Sequence, residues 1–378
     1  MNDTYDLARD LNAVRRALAA DMPEAVIFYC GRALEATSAQ AVSALALEPG
    51  AQVFANLDLL ERLSCISRPA LYLGHALRRL ANDARHILRP LSKQDAEFAA
   101  LCVGPWLQWY LEDFFRGPRT PIADENFGIP GATGHVGSVL SLLRKQHASG
   151  ADISDALLAL ADDSVAKIPA LSSMIAESLI SCGRMNESET VLNAALVHAP
   201  DDLRLNQLYA LARRRLGQPA GALALLKKLS GRYSEDEETI GITAGAMKAA
   251  SDDAGAARLY AKGWQLSHER NLYLGVNAAA LELWQGKSGS REHAAHVADL
   301  FARRNGKLAA SGIDVSGQRD YYDLVTEAEA RLLAGDSAGA RTLYADAFTR
   351  FASRKGDIDG TRHQANRSIA LLGGDPLE

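Results

Sequence analysis

Apolar positions in the first third of the chain recur every three to four residues, which is the period of amphipathic helices. The pattern covers 3–20, 24–45, 52–65, 69–88 and 93–115, with prolines at or near the breaks between segments. We therefore predict a helical bundle over residues 1–116.

Residues 117–137 interrupt this pattern with closely spaced glycines and prolines, a composition typical of a loop or linker. Gly128–Gly137 has the glycine content of a phosphate-binding loop. However, no predicted strand precedes it and no Gly-Lys-Ser/Thr follows it. We interpret 117–137 as a linker and 138–378 as a second domain.

The second domain carries an internal repeat. Gly183 and Gly217 lie 34 residues apart, and Ser251 follows after another 34. The phase continues one residue late at Gly286 and, after an insertion around 303–318, at Gly335. This spacing is the length of the tetratricopeptide repeat (TPR), a pair of helices. The second domain thus resembles a TPR solenoid of about five helix pairs with 358–372 as a closing helix, and the whole chain is predicted to be all-α.

In a TPR array the first helices line a concave surface that binds ligands. Gly241 and Gly245 lie in one such helix and cost about 1 kcal/mol each relative to alanine, which close approach of a ligand or a helix would explain. Lys248 shares their face and suits an anion. We predict a pocket for a small polar, phosphorylated molecule. Its candidate residues are Arg214, Gly241, Gly245, Lys248, Tyr273, Asn277, Tyr322, Thr326 and Glu329.

The alternative for this face is structural. The glycines would then only let helices pack, Asn277 would cap a backbone group, and Lys248 would be solvated.

Four segments look like the motifs of one divergent TPR family, the TPR-S type domain: 239–248, 260–264, 273–280 and 320–330. This domain also occurs in the central regulatory region of apoptosis signal-regulating MAP kinase kinase kinases, and the resemblance covers about residues 170–350. Bacterial members are attached to effector domains in immunity and conflict systems and have been proposed to sense a nucleotide-derived signal. The resemblance implies the same role here, although residues 249–252 replace the usual basic cluster after the lysine.

Composition agrees with a repeat array. Aromatic residues make up 6% of a chain that is 48% hydrophobic, so its core consists mainly of small aliphatic side chains, which stacked helix pairs can bury. Tyr273, Trp284 and Tyr322 fall on the predicted concave face, where a base or ribose could stack. The net charge of −5 argues against a basic surface that coats duplex nucleic acid.

The N-terminal domain has a candidate catalytic helix. Arg78, Asn82 and His86 follow one another at intervals of four residues, and Arg79 lies seven residues before His86, so all can share a face. Such a pair suits metal-independent RNA cleavage, in which the imidazole moves the 2′-OH proton and the guanidinium holds the phosphate. A solvated helix face is the alternative.

This helix, together with 25–36 and 106–111, looks like the HEPN-like superfamily, particularly a subfamily of unknown function common in bacterial defence loci. The resemblance implies a bundle of four or five helices that is often dimeric, so a homodimer is among the expectations. In catalytic members a polar residue follows the arginine, whereas Leu80 follows Arg79 here. A dimerisation or docking role is therefore favoured over cleavage.

Other classes of site lack their sequence signals. Cys30, Cys65, Cys102 and Cys182 form no CxxC pair, and no histidine has metal-ligand spacing, so we expect reduced, mostly buried thiols, no metal and no cofactor. No basic and apolar leader and no apolar run of about 18 residues is present. We expect a cytoplasmic protein without a membrane partner.

Three hypotheses remain. The first is a sensor and interaction protein of bacterial defence or stress signalling, whose TPR face binds a nucleotide-like ligand or a partner segment and whose HEPN-like domain transmits the signal or dimerises. The second is a metal-independent ribonuclease gated by the TPR domain, with RNA as substrate. The third is a plain scaffold for a protein partner.

Overall fold

The computed structural model describes residues 5–86, 91–117, 138–139, 141–143, 145, 151–313 and 319–377, without the side chain of His86. Every regular element within these residues is helical, which confirms the all-α prediction. The Gly128–Gly137 segment and nearly all of the predicted linker lie outside the described residues. The chain forms two compact units, the first from 1–141 and 305–320 and the second from 142–304 and 321–378.

Unit 1 is a helical bundle. Its long helices are α1 (Leu7–Ala19), α2 (Pro23–Ala44), α3 (Val53–Arg62), α4 (Arg68–His86) and α5 (Lys93–Gln108), and α5 continues into a π-helical turn, Trp109–Phe114.

Its core forms around α2. The buried Trp106 indole N–H donates to Thr37 Oγ1 at 2.8 Å, which satisfies both polar groups. Helices α2 and α4 approach closely because Gly31 has no side chain: a Cβ there would lie 2.6 Å from Ala81 Cβ. The small residues of the sequence pattern thus set the helix spacing.

Unit 2 is a series of helical hairpins. After the short helices α6 (Ser154–Leu160) and α7 (Asp163–Ala166), the hairpins are α8 (Pro169–Ser181) with α9 (Met185–His198), α10 (Leu203–Arg215) with α11 (Pro219–Arg232), α12 (Glu237–Ala249) with α13 (Asp253–Leu266), α14 (Leu272–Trp284) with α15 (Ser290–Ser311), and α16 (Tyr321–Ala334) with α17 (Ser337–Arg350). Helix α18 (Lys355–Leu372) closes the series, and the end of α15 lies in the 305–320 segment of unit 1.

The predicted 34-residue phase is confirmed in the first three hairpins. Their first helices begin at Pro169, Leu203 and Glu237. Asp202 and Asp236 cap two of these helices, with carboxylates that accept from backbone N–H groups three residues later at 3.0 and 2.8 Å. Local capping therefore fixes where these two first helices begin.

The turn inside each hairpin also follows the phase. Gly183, Gly217, Gly286 and Gly335 all have φ between 69° and 102°, the left-handed region in which glycine has no Cβ penalty. Ser251 occupies the same place in the third hairpin with φ 64°. Each hairpin turn thus has one residue in the left-handed conformation, which is glycine in four hairpins and serine in the third.

Small residues fill the spaces between hairpins. One core cluster joins Ala244, Ala256, Ala278 and Ala279 to the buried ring of Tyr260. Gly263 lies against Ile240 and Leu274, and Gly275 lies against Trp264, so a Cβ at either glycine would come within 3 Å of a side chain from a neighbouring helix. This packing explains how a chain with few aromatic rings buries a continuous core.

Candidate functional site

The first helices of the hairpins form one surface. Helix α8 contacts α10, α10 contacts α12, and α14 contacts α16. We call this surface the first-helix face. The residues on it that concern the candidate site are Arg214, Arg215, Gly241, Gly245, Lys248, Tyr273, Asn277, Trp284, Tyr322, Thr326 and Glu329.

Lys248 is the centre of the candidate site. Its ammonium donates to Asn277 Oδ1 at 3.3 Å and to Gln364 Oε1. The rings of Trp284 and Tyr260 lie 5.5 and 5.9 Å from Nζ. Burial lowers the pKa of Lys248 to about 8, although Glu329 opposes this shift. Lys248 is half-buried and hydrogen-bonded, whereas the structural alternative had it solvated.

Gln364, from α18, connects Lys248 to Glu329. Its amide nitrogen lies 2.8 Å from both carboxylate oxygens of Glu329 and 3.2 Å from Asn277 Oδ1. Burial raises the pKa of Glu329, and the hydrogen bond from Gln364 works in the opposite direction. A neutral amide thus lies between a half-buried cation and a buried carboxylate.

Asn277 has two roles. Its amide nitrogen donates to the Tyr273 carbonyl oxygen at 2.9 Å, one helical turn back, while its carbonyl oxygen accepts from Lys248. Asn277 therefore both caps a backbone carbonyl group and contacts the Lys248 ammonium.

Arg214 explains Gly245. A Cβ at Gly245 would lie 2.1 Å from Arg214 Nη1, so only glycine leaves room for the guanidinium at this place. Arg214 is half-buried, and its guanidinium makes no hydrogen bond or ion pair with any residue that the structure describes. It is also close enough to Lys248 to lower the pKa of that lysine further. Two cations therefore lie near each other on the first-helix face.

Gly241 packs against the next first helix. A Cβ there would meet the Tyr273 ring and the Leu274 side chain at 3.4 Å. The Tyr273 ring lies edge-on to Tyr260 at 6.2 Å, and 39% of its surface is exposed. Gly241 thus serves helix packing, and Tyr273 offers an accessible aromatic surface beside Arg214.

The predicted residues of the last hairpin separate into two places. Glu329 joins the Lys248 group, and Thr326 is buried on the same helix. Tyr322 instead donates its hydroxyl to Asp357 Oδ1 at 2.7 Å and accepts from Arg215 Nη2 at 3.0 Å, with the Arg354 guanidinium 5.2 Å from its ring. Tyr322 therefore belongs to an ion-pair network instead of offering a free ring for stacking.

Sequence reasoning missed the contributions of α18. It predicted this helix as a closing element, without roles for Asp357 and Gln364. These two polar residues are seven positions apart and therefore share a helix face. That spacing was the available signal, but nothing in it indicated which helices the face would contact.

The structure describes the side chains of three of the four predicted catalytic residues of unit 1. The Arg78 guanidinium lies 5.4 Å from the Phe54 ring, its Nε has no hydrogen-bond partner among the described residues, and burial lowers its pKa. Arg79 is exposed and Asn82 is half-buried. The side chain of His86 lies outside the described residues. Arg78 thus packs against an aromatic ring in addition to carrying a charge.

Other site classes are absent from the described part of the chain. It contains no group of three or more metal-ligating side chains. All four cysteines are free and buried, as predicted. None of its helices combines the length and apolar character needed to cross a membrane.

Comparison with known proteins shows that part of unit 2 is similar to a recognised repeat type. Residues 185–282 match the family model TPR-S, Tetratricopeptide Repeats-Sensor. The match is narrower than the 170–350 that the motifs suggested, yet it includes Arg214, Gly241, Gly245, Lys248 and Asn277. A comparison with curated proteins gave no match.

Two solved structures are similar over most of the chain. One is that of Rap protein complexed with competence and sporulation factor, with 12% identity, TM-score 0.41, and coverage of 97% of this chain and 98% of that chain. The other is the APC/C hetero-tetramer Cut9–Hcn1, with 12% identity, TM-score 0.34, and coverage of 98% and 84%. At these scores we draw no functional conclusion from them.

Proposed function

We propose that unit 2 is a sensor module that binds a small anionic, nucleotide-like ligand on its first-helix face. The observation that carries this proposal is the pair of cations, Arg214 and Lys248, neither of which has a carboxylate ion-pair partner among the described residues. Guanidinium and ammonium groups on a partly desolvated surface favour phosphate oxygens.

Neighbouring groups suit the remainder of a nucleotide. The exposed ring of Tyr273 can stack on a base. Glu329 and the carbonyl oxygen of Asn277 are acceptors for sugar hydroxyls or base amino groups. The TPR-S match over 185–282 supports a sensing role, because that family model is described as a sensor.

The test is calorimetric titration of the full chain with ADP, with adenosine and with inorganic phosphate, each in a separate experiment. Lys248→Met should weaken ADP binding at least about tenfold through loss of one charge-assisted contact. Lys262→Met is the matched control, since Lys262 is an exposed lysine of α13, away from the site. Equal ADP affinity in Lys248→Met and Lys262→Met, or no ADP binding by the wild-type chain, would contradict the proposal.

A protein segment is the second candidate ligand. Helix α18 already contacts first helices α8, α14 and α16, so this face accommodates a helix with polar side chains. A photoreactive residue at position 273 would distinguish the two ligands. Crosslinking to one defined protein, with no ADP binding, would favour a scaffold.

For unit 1 we propose that the bundle transmits the signal or dimerises, in a bacterial defence or stress-signalling system. The HEPN-like resemblance supports this role, and the packing of Arg78 against Phe54 favours it over cleavage. Ribonuclease activity is the alternative. RNA cleavage in EDTA that Arg79→Ala and His86→Ala abolish, and that Arg85→Ala leaves intact, would favour the enzyme.

A further inference from the structure

Helix α18 spans the first-helix face of unit 2. At its start, Arg354 Nη2 donates to Ser181 Oγ of α8 at 3.1 Å. Near its end, Ser368 Oγ accepts from the Trp284 indole N–H at 3.0 Å, and the Arg367 guanidinium lies 3.8 Å from the Trp284 ring. One helix therefore contacts side chains from the first hairpin to the fourth.

Its opposite side belongs to the last hairpin. Ile358, Ala365 and Ile369 are buried in the same core cluster as Tyr344 and Phe351. Helix α18 is therefore held on the last hairpin by apolar contacts, while polar side chains of α18 make hydrogen bonds and an ion pair to the first helices of the other hairpins. Polar contacts of this kind can be exchanged for those of a ligand without exposing the apolar core.

The side chain of Gln364 has the chemistry expected of the ligand. Its carbonyl oxygen accepts from Lys248, where a phosphate oxygen would bind, and its amide donates to Glu329, where a sugar hydroxyl would bind. Seven residues earlier, Asp357 places a carboxylate 2.6 Å from Arg215. Helix α18 thus presents an acceptor and an anion to successive cations of the face.

We propose that α18 is an intramolecular competitor of the ligand: its polar side occupies the first-helix face in the free chain, and the ligand binds by displacing Gln364 from Lys248 and Glu329. This inference rests on the proposed function for the identity of the ligand. It adds that binding changes the position of the C-terminal helix, which makes α18 the element through which occupancy is reported.

The first test measures affinity. In the full chain, Gln364→Ala should bind ADP about tenfold more tightly than wild type, because the competing side chain is gone. Asp357→Asn weakens the hold of α18 at a distance from Lys248 and should also tighten binding. The matched controls are His363→Ala and Asp359→Asn, exposed neighbours on the same helix, which should leave ADP affinity unchanged. Weaker ADP binding by Gln364→Ala would overturn the proposal, since Gln364 would then be part of the binding site.

The second test needs no ligand. Brief acetylation of the full chain, read by mass spectrometry, reports how accessible the Lys248 amine is. Gln364→Ala should raise the Lys248 labelling rate severalfold, and His363→Ala should not. Unchanged labelling in Gln364→Ala would overturn the proposal. Faster labelling together with no ADP binding by any variant would support occlusion by α18 and refute only the nucleotide ligand.

Discussion

Arg215 Nη2 lies 2.6 Å from Asp357 Oδ1, and the two side chains are only 16% and 1% exposed. The pair joins α10, in the second hairpin, to α18, which is 142 residues later in the sequence. Arg354 also contacts Asp357, at 2.8 Å, and Tyr322 donates to it. Asp357 is thus the shared acceptor of two guanidinium groups and a phenol.

Asp357→Asn should therefore destabilise unit 2. The amide keeps the size of the side chain but leaves two mostly buried guanidinium groups without their counter-charge, and breaking a buried pair costs about 3 kcal/mol or more. Urea unfolding should show this loss of unfolding free energy. Asp359→Asn, on the exposed side of α18, should change it by less than about 0.5 kcal/mol. Equal stability of the two variants would contradict the network as described.

The same carboxylate predicts an acid dependence. The Arg215 and Arg354 guanidinium groups hold the pKa of Asp357 well below its usual range, against the opposing effect of burial. A depressed pKa means that this stabilisation is complete above the unfolded value of about 3.9. It is lost as the pH falls from there through the folded pKa. Thermal unfolding between about pH 5 and pH 2 should thus show a steeper loss of Tm in wild type than in Asp357→Asn.

The sequence predicted the repeat well because its signals are local. Asp202 and Asp236 cap helices through contacts three residues away, and Gly217 meets a φ requirement of its own backbone. Such features do not depend on the rest of the fold. The phase of the hairpins could therefore be predicted from one sequence.

The candidate site could be predicted only in part, because its completion is non-local. The one-face spacing of Gly241, Gly245 and Lys248 is visible in the sequence, but the partner that fills the space over Gly245 is Arg214, from the preceding hairpin. Gln364 reaches Lys248 across 116 positions. No periodicity indicates that a closing helix lies on the face that it closes.

Gly245→Ala tests the role assigned to Arg214. The new methyl group would occupy the position of Arg214 Nη1 and push the guanidinium away from Lys248. We expect ADP binding to weaken about tenfold, as for loss of one charge-assisted contact. The fold should persist, since the displaced atoms are the end of a flexible side chain.

Gly231→Ala is the matched control for that substitution. Gly231 also lies within a helix, but a Cβ there would meet nothing within 4 Å. Alanine should raise the unfolding free energy by about 0.5–1 kcal/mol through helix propensity and leave ADP affinity unchanged. Unaltered ADP binding by Gly245→Ala would show that Arg214 does not contact the ligand.

The pKa of about 8 at Lys248 predicts a pH dependence of binding. A phosphate needs the charged ammonium, so above pH 8 each binding event takes up a proton and the Kd for ADP should rise about tenfold per pH unit. The charged and titratable groups around Lys248 are Glu329, Arg214, Asp253, Arg367 and Tyr260. Burial raises the pKa of Tyr260 well above this range, so it stays neutral. Calorimetry from pH 7 to pH 9.5 would measure the slope.

Lys248→Arg is the control for this slope, because a guanidinium keeps its charge throughout. Its Kd for ADP should be flat over the same range. The free wild-type chain should also gain stability as pH rises from about 8 towards 10.4, because the unfolded lysine holds its proton longer than the folded one. A flat wild-type profile in both measurements would mean that Lys248 is not desolvated.

Ser251 tests the turn requirement of the repeat. It adopts φ 64° where four other hairpins use glycine, and an L-residue in this region pays about 1–2 kcal/mol. Ser251→Gly removes this penalty but adds backbone entropy to the unfolded chain, which offsets part of the gain. We therefore expect the unfolding free energy of unit 2 to rise by up to about 1 kcal/mol. Gly286→Ser is the reciprocal change: its φ is 69° and a Cβ meets nothing within 4 Å, so any loss of stability comes from backbone conformation alone. Urea unfolding should show opposite signs for the two substitutions, and the same sign for both would mean that the turn conformation does not limit the stability of the hairpins.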